Sequence, residues 1–459
     1  MNKTIGRQHV LVIFIITAIL LLATVSLIFQ PGNFIATDLG SWGADWSKFD
    51  VCIDQGQVPC QQLSQFPIAY LLNSGFLLYL SSLGMASHHG MLVINTLFVV
   101  LPSVFVLIIG SQRPAWPVAL VYLTAVAATA VPPAYLYSGA LEVQSGVMMG
   151  LFLSSWILLL RSHLSFRLRW AFAFFFIICG FLLAFYKDTN VPVICASLIG
   201  AYIQAWVLKR LGREDDSTKQ PKIFHWSILF IVLGLALSVN MAYNGFRYDS
   251  LLPSTYMQVA DATAPTPGKS LEFLLATFIS PNGGLLVFWA FGFSCAWFML
   301  RALRLRIPLI ALLISANLVI FSVLGFSLWW APFGWDSWGD RLIVPSMLAS
   351  LITLICSAQY VPAALTTENK SFISLRDWTA AIQIIGMLLV VWSLHYTWVS
   401  YFSNRGLLVV KSLNGGPQCQ KMLKLMRQNP TGQGLSLWRS DHYYNCASER
   451  FRHFPQLIK

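Results

Sequence analysis

Carboxylates crowd into one stretch of an otherwise apolar chain. Residues 34–67 read FIATDLGSWGADWSKFDVCIDQGQVPCQQLSQFP and hold Asp38, Asp45, Asp50 and Asp54 beside Trp42 and Trp46. A carboxylate can accept the proton of a hydroxyl nucleophile, and an indole offers an apolar face to a sugar ring. The stretch directly follows a first apolar segment, 10–29. Its chemistry is therefore expected at a membrane surface.

Three further stretches carry reactive types. In VPPAYLYSGALEVQSG (131–146) one acid, Glu142, stands among apolar residues. Partial desolvation there suits a proton or hydrogen-bond role, while the plainer reading is a charge beside a helix N-terminal dipole. In YKDTN (186–190) Lys187 either pairs with Asp188 or binds a lipid phosphate. In WWAPFGWDSWGDRLIVP (329–345) Asp336, Asp340 and Arg341 lie among glycines and tryptophans. Belt anchoring at a membrane interface explains the tryptophans but not the charges. Arg341, at the start of a span, can present a two-pronged donor to a phosphate. The turn ISPNGGLL (279–286) exposes backbone amides ahead of a helix, a weaker anion cradle.

The elements that must position these residues are membrane helices. The chain has 459 residues, 56% apolar and only 10% charged. That excludes a soluble globular class and predicts an all-α polytopic membrane protein. A spanning helix needs about 20 apolar residues. Segments 10–29, 91–110, 115–131, 147–160, 170–186, 191–208, 224–243, 285–300, 307–328, 343–360 and 379–397 meet or approach that length. The expectation is about 11 transmembrane helices. Segment 66–84 is long enough to cross but carries Asn73, Ser74 and Gly75. If it crosses, the basic run 161–169 falls outside, against the positive-inside tendency. It is therefore read as a helix along the outer surface.

With that assignment the inner segments collect most bases, among them Arg161, Arg167, Arg169, Lys209 and Arg210. The short outer loops keep only Lys48, Lys187, Arg247, Lys269 and Arg341. Membrane sorting accounts for the net charge of +12, and no nucleic-acid partner is implied. A retained anchor, 10–29, opens a membrane domain over 1–397, with its catalytic outer loop at 30–90. A small extracytoplasmic tail follows at 398–459. Cys52 with Cys60, and Cys419 with Cys446, fall outside and are expected as disulfides. Cys179, Cys195, Cys295 and Cys356 lie within spans.

No predicted span holds an acid or base in its interior, which argues against an ion-coupled transporter. The acids gather instead at outer helix ends. GADWSKFD (43–50), the Pro-led FPIAYLL (66–72), Glu142, SPNGGLLVF (280–288) and GWDSWGDRLIVP (334–345) follow one another in order. This order resembles the glycosyltransferase C superfamily, membrane enzymes that use polyprenyl- or dolichyl-phosphate sugars, mannosyltransferase-like members in particular. That family usually has two prolines where this chain has Phe66 and Pro67.

The resemblance implies a donor whose phosphate lies at the outer headgroup layer and an inverting transfer to an acceptor. Asp45 is implied as the base, since Phe49, Gly56 and Pro67 follow it in the family's manner, with Asp38 as second choice. Lys187 and Arg341 would bind the donor phosphate. Trp42 and Trp46 would face the sugar. Glu142, with Asp336 or Asp340, would orient the acceptor or, in some relatives, a divalent metal such as Mg or Mn; no cofactor is required by the residues alone. The expected partners are a polyprenyl-phosphate-linked sugar, membrane lipids and a glycan, lipid or protein acceptor. A lipid-linked oligosaccharide polymerase or ligase is the first alternative, though outer arginines and histidines are few. A non-coupled lipid or sugar flippase is the second, though the spans lack a polar lining. No outer loop carries a usable N-glycosylation sequon, Asn429 being followed by Pro, which favours a bacterial plasma membrane.

Overall fold

The structure is a computed structural model. It describes residues 54–56, 67–85, 87–109, 115–129, 131–136, 141–160, 165–186, 189–211, 223–251, 267–279, 284–303, 305–329 and 342–360.

Twelve α-helices occupy the described residues. They are α1 (Pro67–Ser82), α2 (Ser87–Ile109), α3 (Ala115–Ala127), α4 (Glu142–Leu159), α5 (Phe166–Tyr186), α6 (Asn190–Arg210), α7 (Ile223–Tyr248), α8 (Pro267–Ile279), the short α9 (Leu285–Phe288), α10 (Ala290–Ala302), α11 (Leu309–Trp329) and α12 (Val344–Ser357). Six contain stretches long and apolar enough to cross a bilayer: 89–107, 142–159, 166–186, 190–210, 225–247 and 309–327. Large apolar side chains stay exposed along α5, α6, α7 and α11, among them Phe174, Ile203, Ile231 and Ile320. In water that surface would be unstable; in lipid it is the expected outer face. The protein is a polytopic, helical membrane protein. The expected segments 10–29 and 379–397, the tail and both proposed cysteine pairs lie outside the described residues.

α4 is the central helix. Every residue from Glu142 to Leu158 is buried, and the helix packs on α12, α5 and α2. Its contact with α12 is the most extensive in the bundle because α4 presents no side chain at Gly146 and Gly150. A Cβ on Gly146 would stand 3.0 Å from the Pro345 carbonyl oxygen, and one on Gly150 would stand 2.6 Å from the Ile352 Cβ. Small residues four apart let two membrane helices approach backbone to backbone. The matching pairs, 146 with 345 and 150 with 352, also show that α4 and α12 run parallel. Their N-termini share one end of the bundle.

The opposite half is held by rings. Phe152 stacks on Phe176 at 4.7 Å between centroids, and Trp156 follows at 5.7 Å. The Trp156 indole N–H donates to the Tyr202 hydroxyl at 3.1 Å. Trp226 on α7 closes the group against Trp156 and Tyr202. At that end Leu305 and Arg306 pair antiparallel with Tyr360 and Gln359, which clips the entry of α11 to the exit of α12. Cys179, Cys195, Cys295 and Cys356 are free thiols, as their span positions require.

Several expected boundaries shift. The span expected at 147–160 starts at Glu142, so this acid opens a helix instead of sitting in the loop before it. The span expected at 115–131 stops at Ala127, and a π-helical turn follows at Val131–Tyr135. Pro132 and Pro133 lack N–H groups and cannot continue the α-helical bonding; the Leu136 N–H instead reaches the Val131 carbonyl at 3.1 Å. The segment 285–300 breaks at Trp289, whose φ of −125° leaves the helical range. α8 was not foreseen at all. Residues 67–82 do form the expected helix, ended by Gly84 at φ +83° with the Met85 N–H on the Leu80 carbonyl at 3.0 Å.

Candidate active site at the start of α4

Of the residues expected to act, Glu142 is described. Asp38, Asp45, Trp42, Trp46, Lys187, Asp336, Asp340 and Arg341 lie outside the described residues. Several described helices adjoin those stretches in sequence.

Glu142 is the first residue of α4 and is only 7% exposed. Its carboxylate therefore sits at the positive end of a helix dipole, as the plainer reading expected, and is also withdrawn from solvent. The two readings coincide in one place. Among the described residues no three His, Cys, Asp or Glu side chains gather to hold a metal. Asp336 and Asp340, expected to share a metal-binding role with Glu142, lie outside the described residues.

Three of the four residues after Glu142 each engage a different neighbour. Gln144, fully buried, accepts from the Asn73 amide of α1 at 3.0 Å and donates to the Asn95 amide oxygen of α2 at 3.0 Å. Asn95 in turn donates to the carbonyls of Leu136 at 3.0 Å and Tyr135 at 3.3 Å, fixing the π-helical turn that leads to Glu142. Ser145 accepts from Asn190, the first residue of α6, at 2.8 Å; Asn190 also donates to the Leu183 carbonyl at 3.2 Å. Gly146 receives Pro345 at the start of α12. Ser346, one residue on, shares a hydrogen bond with Ser322 of α11.

Buried amides and hydroxyls are costly in an apolar medium unless paired, so these contacts fix the helix ends firmly. Their placement is informative. α1 begins at Pro67, where the acidic stretch 34–67 ends. Asn190 follows Lys187 by three residues and Asp188 by two. Val344 follows Arg341 by three. The segment Glu142–Gly146 thus touches α1, α6 and the start of α12, each of which adjoins in sequence a stretch expected to carry chemistry. Asp54, the one acid of the first stretch that is described, is exposed.

Gln144, Ser145, Asn95 and Asn190 were not foreseen as functional. The available signal was four uncharged polar residues inside or beside apolar segments, a pattern that marks functional positions in membranes. Asn73 was noticed only because it made 66–84 ambiguous.

No protein-family model matches the chain, and no curated protein matches it. Solved structures do. ArnT from Cupriavidus metallidurans bound to undecaprenyl phosphate superimposes with a TM-score of 0.52 over 96% of this chain and 77% of that one, at 13% identity. The fold is that of ArnT. The apo structure of the same protein aligns over 97% of this chain with a TM-score of 0.49, also at 13% identity. The likeness to the undecaprenyl-phosphate-bound structure is one of fold, a polytopic helical membrane architecture.

Proposed function

We propose that the chain is a membrane glycosyltransferase that moves a sugar from a polyprenyl-phosphate donor to an acceptor hydroxyl on the extracytoplasmic face, with inversion. The observation that carries this reading is the junction at Glu142–Gly146, which gathers the ends of α1, α4, α6 and α12, on a fold shared with a protein that binds undecaprenyl phosphate. The orientation is supported by charge: Lys209 and Arg210 end α6, and Arg301 ends α10, at the helix ends remote from Glu142. A bacterial plasma membrane fits that orientation.

In this reaction the acceptor oxygen bonds to the anomeric carbon as the bond from that carbon to the phosphate oxygen breaks. The polyprenyl phosphate leaves with the electron pair, and the acceptor proton passes to a carboxylate. Asp45 is the proposed base, with Asp38 as its rival. Arg341 and Lys187 would hold the leaving phosphate. Trp42 and Trp46 would cover the sugar, and Glu142 with Asp336 or Asp340 would orient the acceptor, be it glycan, lipid or protein.

Asp45→Asn removes basicity and keeps shape. Turnover is expected to fall by at least about 100-fold, the low end of what a general base contributes, while affinity for undecaprenyl phosphate holds. Asp38→Asn is measured beside it. Near-full transfer in both variants would take the base out of this stretch.

A further inference from the structure

We propose that Gln144 is a positioning residue that locks α1, the helix the first acidic stretch runs into along the sequence, to the start of α4 through Asn73 on one side and Asn95 on the other. Its catalytic consequence rests on the glycosyl-transfer reading; the mechanical part does not.

The argument starts from geometry. Asn73 lies six residues past Pro67, about 9 Å of helix, so its side chain holds α1 close to where the acidic stretch joins it. Asn73 and Gln144 are both buried, and a 3.0 Å hydrogen bond between them ties α1 to α4. Elsewhere α1 rests on α2 through a small apolar group, Leu77 with Met91 and Ile94, and leaves Leu72, Leu78 and Tyr79 exposed. Apolar contact is non-directional and permits sliding, whereas an amide bond in an apolar setting fixes register. The second amide direction is equally specific. Gln144 donates to Asn95, and Asn95 grips the Tyr135 and Leu136 carbonyls, seven and six residues before Glu142.

One carboxamide chain therefore ties α1 to α4 and to the turn that precedes Glu142. Removing it should leave each element intact while loosening their mutual placement. Catalysis by oriented groups is sensitive to displacements of about 1 Å, which can cost on the order of 100-fold.

The test compares Gln144→Leu and Asn73→Leu with Asn317→Leu in the full-length protein. Asn317 is a matched control: it pairs with Gln204 across α11 and α6, donating at 2.9 Å, away from the site. Amide hydrogen exchange across residues 67–82 should accelerate about three- to twenty-fold in the first two variants, the range that interhelical bonds in a bilayer support. It should not change in Asn317→Leu. Turnover of a polyprenyl-phosphate sugar should fall at least about tenfold in Gln144→Leu with the donor KM unchanged, whereas Asn317→Leu should lower only the melting temperature. Unchanged exchange over 67–82 in Gln144→Leu overturns the proposal, as does a loss of turnover no larger than in Asn317→Leu. If the wild-type protein consumes no lipid-linked sugar, the glycosyl-transfer reading falls alone. Faster exchange in Gln144→Leu would then still uphold the lock.

Discussion

Glu142 stands at the helix dipole and away from solvent, and one substitution separates the two roles. Glu142→Gln keeps volume and hydrogen bonding but removes the charge. If the carboxylate orients the acceptor, turnover should drop by about 100-fold or more while undecaprenyl phosphate binds as before. A change under about threefold would leave Glu142 as a helix-end charge, worth about 0.3–1 kcal/mol of stability. At the phosphate the test differs. Arg341→Lys keeps charge and loses the planar fork, so donor affinity should weaken, and unchanged affinity in Arg341→Ala would remove the residue from the site. Glu142 was legible as a desolvated charge at a helix start because acids are scarce in this chain. Gln144 and Asn95 were not, since an amide inside an apolar helix gains meaning only from its partners, and those lie 49 and 71 residues away.

Helices were legible where apolar length decided them. α2, α5, α6, α7 and α11 fall close to the segments read from hydropathy. The misses have physical causes. α4 begins earlier than expected because Gln144 and Ser145 look like loop residues in sequence but are satisfied across helices in the bundle. α3 ends early because two prolines follow. The α4–α12 interface supplies the test at this scale. Gly146→Ala drives a methyl against the backbone of Pro345, which cannot swing aside as a side chain would. Overpacking of this kind costs about 1–3 kcal/mol, so the melting temperature in detergent should fall. Gly234→Ala, with nothing within 4 Å of the added Cβ, should leave it unchanged or raise it. Equal behaviour of the two variants would mean that α4 and α12 do not meet as closely as described.

The whole molecule is a bundle with two unlike ends, one carrying the buried Glu142 and a set of uncharged polar ties, the other carrying basic residues and stacked rings. The fold class, an all-α polytopic membrane protein, was readable from composition. Sidedness is a separate matter and has its own check. Ser87→Cys, at the start of α2, should react with an impermeant thiol reagent from outside, and Ser217→Cys should not. Labelling of Ser87→Cys only from the cytoplasm would invert the bundle and place the α4 junction inside.

Glycosyl transfer itself is tested most directly by supplying the purified protein in proteoliposomes with a panel of radiolabelled polyprenyl-phosphate sugars and envelope acceptors. The wild-type protein should consume one donor, release free polyprenyl phosphate in equal amount and form an inverted glycoside. Asp45→Asn or Asp38→Asn, and Glu142→Gln, should each lower that rate by about 100-fold. Donor consumption that matches protein-free vesicles across the panel, or variants as fast as wild type, would contradict the account.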